Sequence, residues 1–164
     1  MTNIINFYLG KIPDSNKRYL SDILSFNNST LETDHFYIQW LFPLEQPSNY
    51  NTQAPLLVAS DRIEFAKNKI VRTNVLKSFN MMLEFYGFIN KDSFIVINKP
   101  LFDQKKQWLT PNNHNFLRIT RIITSMRLMG FISESDAFRK CVLNISNMYP
   151  HIISADTKKY WALA

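Results

Sequence analysis

Two short stretches of the sequence place histidine at helical spacing from other hydrogen-bonding or charged side chains. In the second half of the chain, His114, Arg118 and Arg121 follow at intervals of four and three residues, which puts them along one edge of a helix. In the first half, His35 and Gln39 lie one helical turn apart. Guanidinium and imidazole groups bind anions, and a pair of histidines can supply a general acid and a general base. These side chains are therefore the first candidates for a functional site.

The helix that carries the two arginines is expected to span residues 110–130. Thr110 is its predicted N-cap, Pro111 takes the first helical position, and Gly130 ends it. Leu117 and Leu128 lie opposite a broad apolar arc, so the pattern predicts a central helix that is buried from two directions. The arc consists of Phe116, Ile119, Ile122, Ile123, Met126 and Met129.

An arginine between two apolar faces needs a partner, and two interpretations of that partner remain open. Asp34 falls inside the apolar arc of its own predicted helix, so an ion pair with Arg118 or Arg121 would lock two helices together. Alternatively, the edge is open and binds an anion, aided by free N–H groups at the helix N-terminus. We favour the ion pair for the arginines, and we keep Asn113 and His114 as the better functional candidates.

Glu32, His35 and Gln39 form a polar stripe along the helix predicted over residues 29–41, and this stripe also has two interpretations. It is either the solvent face of its helix, which is the plainer interpretation, or it faces the His114 end of the later helix. In the second case this stripe and the polar edge that begins at His114 would form a polar pocket. Trp40 and Trp108 would be its walls. The predicted ligand-binding residues are His35, Gln39, Trp40, Trp108, Asn113, His114, Arg118 and Arg121.

Other kinds of chemistry have little support in the sequence. The three histidines are far apart, and no CxxC or HExxH motif occurs, so we expect neither a metal site nor a cofactor. Cys141 shares an apolar arc with Phe138 and Val142, where a thiol is normally inert packing. No Gly-x-Ser-x-Gly motif occurs. A non-enzymatic role is therefore favoured over an enzyme that uses His35 and His114 as acid and base.

The elements that must position these residues are mostly helices. The pattern predicts an all-α fold, a single compact globular domain of about six to seven helices. Residues 88–97 fit either one short β-hairpin or an apolar loop. A helical domain is expected over residues 1–150, and a C-terminal tail over 151–164. Residues 1–16 read as extended or irregular, and the proline-containing stretch 43–58 as a loop. The remaining helices are expected at about 16–25, 29–41 (with Ser29 and Glu32 as a capping box), 60–67, 69–86, 101–108 and 133–148.

Charge and hydropathy narrow the class of partner. The net charge of +6 comes from scattered basic residues, which permits nucleic-acid binding without favouring it. No apolar run is long enough for a membrane span, and the N-terminus does not resemble a secretory signal. We expect a cytoplasmic protein, with the nucleus as the alternative in a eukaryotic cell.

Four separate blocks of the sequence resemble the conserved region of the opioid growth factor receptor family. They are DHFYIQWLFPLEQPS (34–48), APLL (54–57), SFNMMLEFYGF (78–88) and WLTPNNHNFLRITRIITSMRLMG (108–130), and the resemblance extends over about residues 6–148. The animal members are named as receptors for the peptide methionine enkephalin and are linked to the nucleus and to growth control. Their conserved region is followed by long tails, whereas this chain looks like a short member without the C-terminal tail.

The resemblance implies a non-enzymatic binding module that recognises a peptide or protein partner. It assigns no ligand-contacting residue that can be transferred to this chain. Anion or nucleic-acid binding through the basic helix edge is one alternative, and an enzyme based on the histidine pair is another.

Overall fold

The computed structural model describes residues 1–92 and 94–164 and confirms a helical fold with one antiparallel hairpin. Ten α-helices occur in these residues, more than the six to seven expected, because several are too short to show a helical period. The elements are α1 (Asn3–Tyr8), α2 (Leu20–Leu24), α3 (Asn28–Thr33), α4 (Ile38–Leu41), α5 (Ala59–Lys67), α6 (Lys69–Tyr86), β1 (Phe88–Lys91), β2 (Phe94–Ile97), α7 (Lys99–Lys105), a 3₁₀ turn (Lys106–Trp108), α8 (Asn115–Leu128), α9 (Ile132–Met148) and α10 (Ala155–Leu163). None of the helices described is long and apolar enough to cross a membrane.

The long helix α6 lies where the sequence predicts it, and of the two interpretations of residues 88–97 the hairpin is the correct one. Gly87 ends α6 with a φ of +85°, and a Cβ there would lie 2.5 Å from the Cα of Phe102. Only glycine meets both requirements. The hairpin pairs Phe88 with Ile97 and Lys91 with Phe94.

The chain divides into two compact units, of which unit 1 comprises residues 1–81 and 128–130. The prediction that residues 1–16 are extended or irregular is wrong for residues 3–8, which form α1. This helix buries Ile4, Ile5, Phe7 and Tyr8, so it has almost no polar face from which to recognise a period. The Tyr8 hydroxyl donates to the carbonyl of Leu41, which fixes α1 against the end of α4.

The predicted continuous helix over residues 29–41 is also wrong, because the chain leaves the helix after Thr33 and re-enters it at Ile38. The Asn27 side chain accepts from Thr30 N, so the N-cap precedes the predicted Ser29. Asp34 has extended backbone, and its Oδ1 accepts from Phe36 N at 2.7 Å. Such a local side-chain bond offers the backbone an alternative to continuing the helix.

Unit 2 comprises residues 82–127 and 131–164 and has an aromatic core. The ring of Tyr86 lies 5.3 Å from that of Trp108 and 6.3 Å from that of Phe138. α10 lies in the predicted tail, and its Trp161 is fully buried and donates to the Phe116 carbonyl at 3.1 Å. The tail therefore contributes to the core of this unit.

The helix predicted over residues 110–130, with Pro111 as its first helical residue, begins four residues later, at Asn115. Asn113 N donates to Thr110 O at 3.2 Å, and Asn112 has a φ of +57°, as the third position of a type II turn requires. Pro111 therefore occupies the second position of a turn and not the start of a helix. The predicted burial from two sides is wrong as well, because Leu117 is 60% exposed.

Candidate functional site

In unit 1, residues 34–37 form a sharp connection between α3 and α4, here called the 34–37 corner. The carboxylate of Asp34 is salt-bridged to Arg18. The same guanidinium lies 2.6 Å from a carboxylate oxygen of Asp14, a residue that is only 4% exposed. The two carboxylates raise the pKa of Arg18 more than its partial burial lowers it, so the guanidinium stays charged. One partly buried ion cluster therefore fixes the start of the corner.

The other side of the corner is held by neutral hydrogen bonds. Asn51, which is buried, donates from Nδ2 to the Phe36 carbonyl at 3.1 Å. The Tyr37 hydroxyl donates to the Leu31 carbonyl at 2.9 Å. His35 and Phe36 are exposed between these anchors, and Phe36 retains 45% of its accessible surface. The corner thus presents two ring side chains from a backbone that is fixed on both sides.

Gln39 follows the corner and is buried, with 4% of its surface exposed. Its Oε1 has no hydrogen-bond partner within residues 1–92 and 94–164. Trp40 beside it belongs to the core: its ring lies 5.1 Å from that of Phe7, and its Nε1 donates to Ser15 Oγ at 3.2 Å. Of the predicted binding residues in the first half, His35 is exposed, whereas Gln39 and Trp40 are buried.

In unit 2, a second group of polar residues is centred on Asn115, which is fully buried. Its Oδ1 receives Arg118 Nη1 at 3.3 Å and the Tyr86 hydroxyl at 3.5 Å. Its Nδ2 lies 3.0 Å from Asn113 Oδ1 and 3.4 Å from His114 Nε2. These five residues are called the Asn115 cluster. The cluster extends from the exposed start of α8 into the core, where Arg118 is buried with 5% of its surface exposed.

The first turn of α8 has no N–H group left for an anion at its first four positions. Asn115 N donates to Asn113 Oδ1 at 2.9 Å, and the next amide, of Phe116, donates to the Asn113 carbonyl. The amides of Leu117 and Arg118 both donate to the His114 carbonyl. The predicted anion edge relied on these groups being free, so the geometry removes that part of its support.

The other predicted binding residues of unit 2 are largely packed. Trp108 is 2% exposed and donates from Nε1 to the Tyr86 carbonyl at 3.2 Å. Arg121 is half-buried, and this burial lowers the pKa of its guanidinium. Asn113 is half-buried and His114 is exposed, so these two residues form the accessible part of the Asn115 cluster.

The structure therefore brings Asn113, His114 and Arg118 together around Asn115. Asp34 has a partner in Arg18 that the sequence interpretation did not assign to it. Its pairing with Arg118 or Arg121 stays a prediction, as does the pocket between the two stripes. The acid–base pair of His35 and His114 likewise stays a prediction.

No group of three His, Cys, Asp or Glu side chains in the described part of the chain could hold a metal ion. Cys141 is 6% exposed, and burial raises the pKa of its thiol to about 12. A thiol that remains protonated at neutral pH is a poor nucleophile.

Sequence reasoning missed Asn115 and Arg18, although each left a signal. Asn115 precedes Ile119, Ile122 and Met126 at helical intervals, so it lies on the buried arc, where an amide must be paired. Arg18 follows Asp14 by four residues, a spacing that favours an ion pair. Asn51 left no such signal, because its contact with Phe36 crosses a loop without periodicity.

Comparison with known proteins points to one family. The family model described as "Opioid growth factor receptor (OGFr) conserved region" matches residues 1–154. The chain is 33% identical over 156 residues to opioid growth factor receptor-like protein 1 of Rattus norvegicus, covering 90% of this chain and 33% of that protein.

The receptors themselves match over a shorter region. Identity is 36% over 132 residues to the opioid growth factor receptor of Rattus norvegicus, covering 77% of this chain and 23% of that protein. It is 33% to the receptor of Homo sapiens, covering 77% and 19%. The chain thus spans a third or less of the length of these relatives. No solved structure shows significant similarity to it.

Proposed function

Because the chain belongs to the opioid growth factor receptor family, we propose that it is a non-enzymatic module that binds a peptide or protein partner. The contact region in this proposal is the 34–37 corner together with Gln39. The names of the relatives describe receptors, which supports a macromolecular or peptide ligand as the class of partner. The proposed location is the cytoplasm, with the nucleus as the alternative, and imaging of a tagged chain in the source cell tests it.

The observation that carries the proposal is the Gln39 carbonyl oxygen, which is buried and has no partner among the described residues. Leaving a buried acceptor unsatisfied costs about 1–3 kcal/mol. Native proteins keep few such groups, so each one needs an explanation, and a binding partner that supplies the donor is the explanation proposed for this one. A backbone N–H from an extended peptide is a donor of the right type. Because this oxygen is enclosed in the free chain, the Gln39 side chain must move on binding, and its bond to the peptide would then recover that cost.

The exposed side chains of the corner supply the rest of the contact. His35 and Phe36 project from a backbone held by Arg18 on one side and Asn51 on the other. Little conformational entropy is lost when a pre-organised surface binds. Aromatic side chains that bury their surface on binding contribute strongly to affinity in protein interfaces.

The test is selection of peptides from a random phage-displayed library against the full chain. The affinity of enriched peptides is then measured by calorimetry for the wild type and for two variants, Gln39→Leu and His35→Ala. We expect each variant to weaken binding by about tenfold, equivalent to the loss of one well-made contact.

Two matched variants serve as controls. Gln53→Leu changes an exposed glutamine of unit 1, and His151→Ala changes an exposed histidine of unit 2. Neither is expected to alter affinity. The proposal fails if no peptide is enriched, or if the enriched peptides bind Gln39→Leu and His35→Ala as tightly as they bind the wild type.

A further inference from the structure

Unit 1 contains a cleft of about 430 Å³ between the end of α1, the helix α2 and the middle of α6. Small-ligand sites are commonly about 300–1,000 Å³ in volume. Neither the 34–37 corner nor Gln39 lines it, so the cleft is distinct from the proposed contact region. The lining residues that matter here are Leu9, Leu20, Ser21, Leu24, Asn74 and Lys77.

The C-terminal end of α1 forms one wall of the cleft, and the backbone carbonyls of this end accept hydrogen bonds within the protein. Gly10, with a φ of +70°, donates to the Phe7 carbonyl, and Lys11 N donates to the Asn6 carbonyl, which together form a Schellman motif. Asn74 on α6 donates from Nδ2 to the Tyr8 carbonyl at 2.7 Å. The backbone oxygens at this end of α1 are therefore already engaged and do not offer a bare negative edge to the cleft.

The lining combines an aliphatic floor with one positive charge. Leu9, Leu20 and Leu24 supply the apolar surface, and among the described residues that line the cleft only Lys77 is charged. Within residues 1–92 and 94–164, Lys77 forms no salt bridge. A ligand complementary to this surface carries an aliphatic group and a single negative charge.

We propose that the cleft binds the C-terminal residue of a peptide when that residue is aliphatic. Its side chain lies on the leucines, and its carboxylate pairs with Lys77. Ser21 and Asn74 add a hydroxyl and an amide beside the leucines, which suits the last peptide bond. A purely aliphatic acid would cover these polar groups without pairing them, at a cost in free energy. This site is independent of the function proposed for the corner.

The experiment is an NMR titration of the ¹⁵N-labelled full chain with N-acetyl-leucine. We expect saturable shifts of the amide signals of Gly10, Ser21 and Lys77. N-acetyl-leucinamide, which lacks the carboxylate, is expected to bind about fivefold more weakly, in line with the loss of one exposed ion pair. Hexanoate, which lacks the peptide bond, is expected to bind more weakly than N-acetyl-leucine.

Variants locate the site and keep the test independent of folding, because the same spectra report whether each variant is folded. Lys77→Met is expected to weaken N-acetyl-leucine about fivefold, and Leu24→Ser to weaken it by removing part of the floor. Lys69→Met, an exposed lysine on the same helix α6, is the matched control and leaves binding unchanged.

Four results would overturn the proposal. They are the absence of saturable shifts with N-acetyl-leucine, equal affinity for N-acetyl-leucinamide, equal affinity for hexanoate, and an equal loss in Lys77→Met and Lys69→Met.

Discussion

The 34–37 corner with Gln39 and the Asn115 cluster both depend on a buried side-chain amide, but the two amides are in different states. The Asn115 amide is bonded through both its oxygen and its nitrogen. The Gln39 carbonyl oxygen has no partner among the residues described. A satisfied buried amide stabilises one conformation, whereas an unsatisfied one costs free energy until a donor arrives. The comparison therefore separates a structural cluster from a candidate contact.

The largest effect is expected from Asn115→Ala. Removing this amide leaves the Tyr86 hydroxyl and the buried Arg118 without one of their bonds, and it also creates a small cavity. We expect the free energy of unfolding to fall by about 3 kcal/mol, measured by urea denaturation. Asn144→Ala on the exposed face of α9 is the control and should change it by less than about 0.5 kcal/mol. An equal, small effect of both variants would contradict a structural role for the cluster.

Arg18→Ala is expected to have the next largest effect. It leaves the buried Asp14 carboxylate without its cation and releases Asp34 at the start of the corner. Because Arg18 is itself partly exposed, we expect a loss of about 2 kcal/mol, less than for a fully buried pair. The backbone amides of residues 34–37 should also exchange faster with solvent. Unchanged exchange would show that the ion cluster does not hold the corner.

Gln39→Leu should have a much smaller effect on stability. It replaces an amide that has an unsatisfied oxygen with an apolar group of similar size, so no bond to Oε1 is lost. We expect the free energy of unfolding to stay within about 1 kcal/mol of the wild type, with an increase favoured over a decrease. If Gln39→Leu lowered the free energy of unfolding as much as Asn115→Ala does, both amides would stabilise the fold, and the distinction between them would be wrong.

The slowest measurable change is expected in the labelling of the Cys141 thiol by a thiol reagent. The rate of this labelling reports how often unit 2 opens. With a pKa of about 12, only about one thiol in ten thousand is ionised at pH 8, so labelling by a thiol reagent should be slow. Because folding raises this pKa, the neutral thiol adds stability below its unfolded pKa, and that stability is lost as the pH rises towards 12.

The same labelling sharpens the comparison between the two amides. Asn115→Ala should speed the reaction of Cys141 by raising the population of open states, whereas Gln39→Leu should leave its rate unchanged. Native labelling as fast as that of a free cysteine would contradict the buried position of this thiol.

Long helices were predicted from the sequence more accurately than short ones. α6 and α9 carry several turns of apolar period, and their bounds were predicted to within one residue. α1 and α4 span six and four residues, so neither contains enough turns for a period to be visible. The break between α3 and α4 depends on a side-chain bond from Asp34 to the backbone, which competes with the helix and leaves the hydrophobic pattern unchanged.

The helical class and the family could be predicted from the sequence alone, because periodicity and four motif blocks are local properties of the chain, whereas residues 88–97 fitted a hairpin and an apolar loop equally. The sequence also singled out His35, Gln39, Asn113 and His114 as residues worth placing. The full set of bonds made by these polar groups could be seen only in the fold, since Arg18 lies 16 residues from Asp34 in the chain and Tyr86 lies 29 residues from Asn115. Hydrogen bonding between distant segments depends on three-dimensional packing and leaves little trace in periodicity. For that reason the amides of Gln39 and Asn115 could be told apart only in the fold.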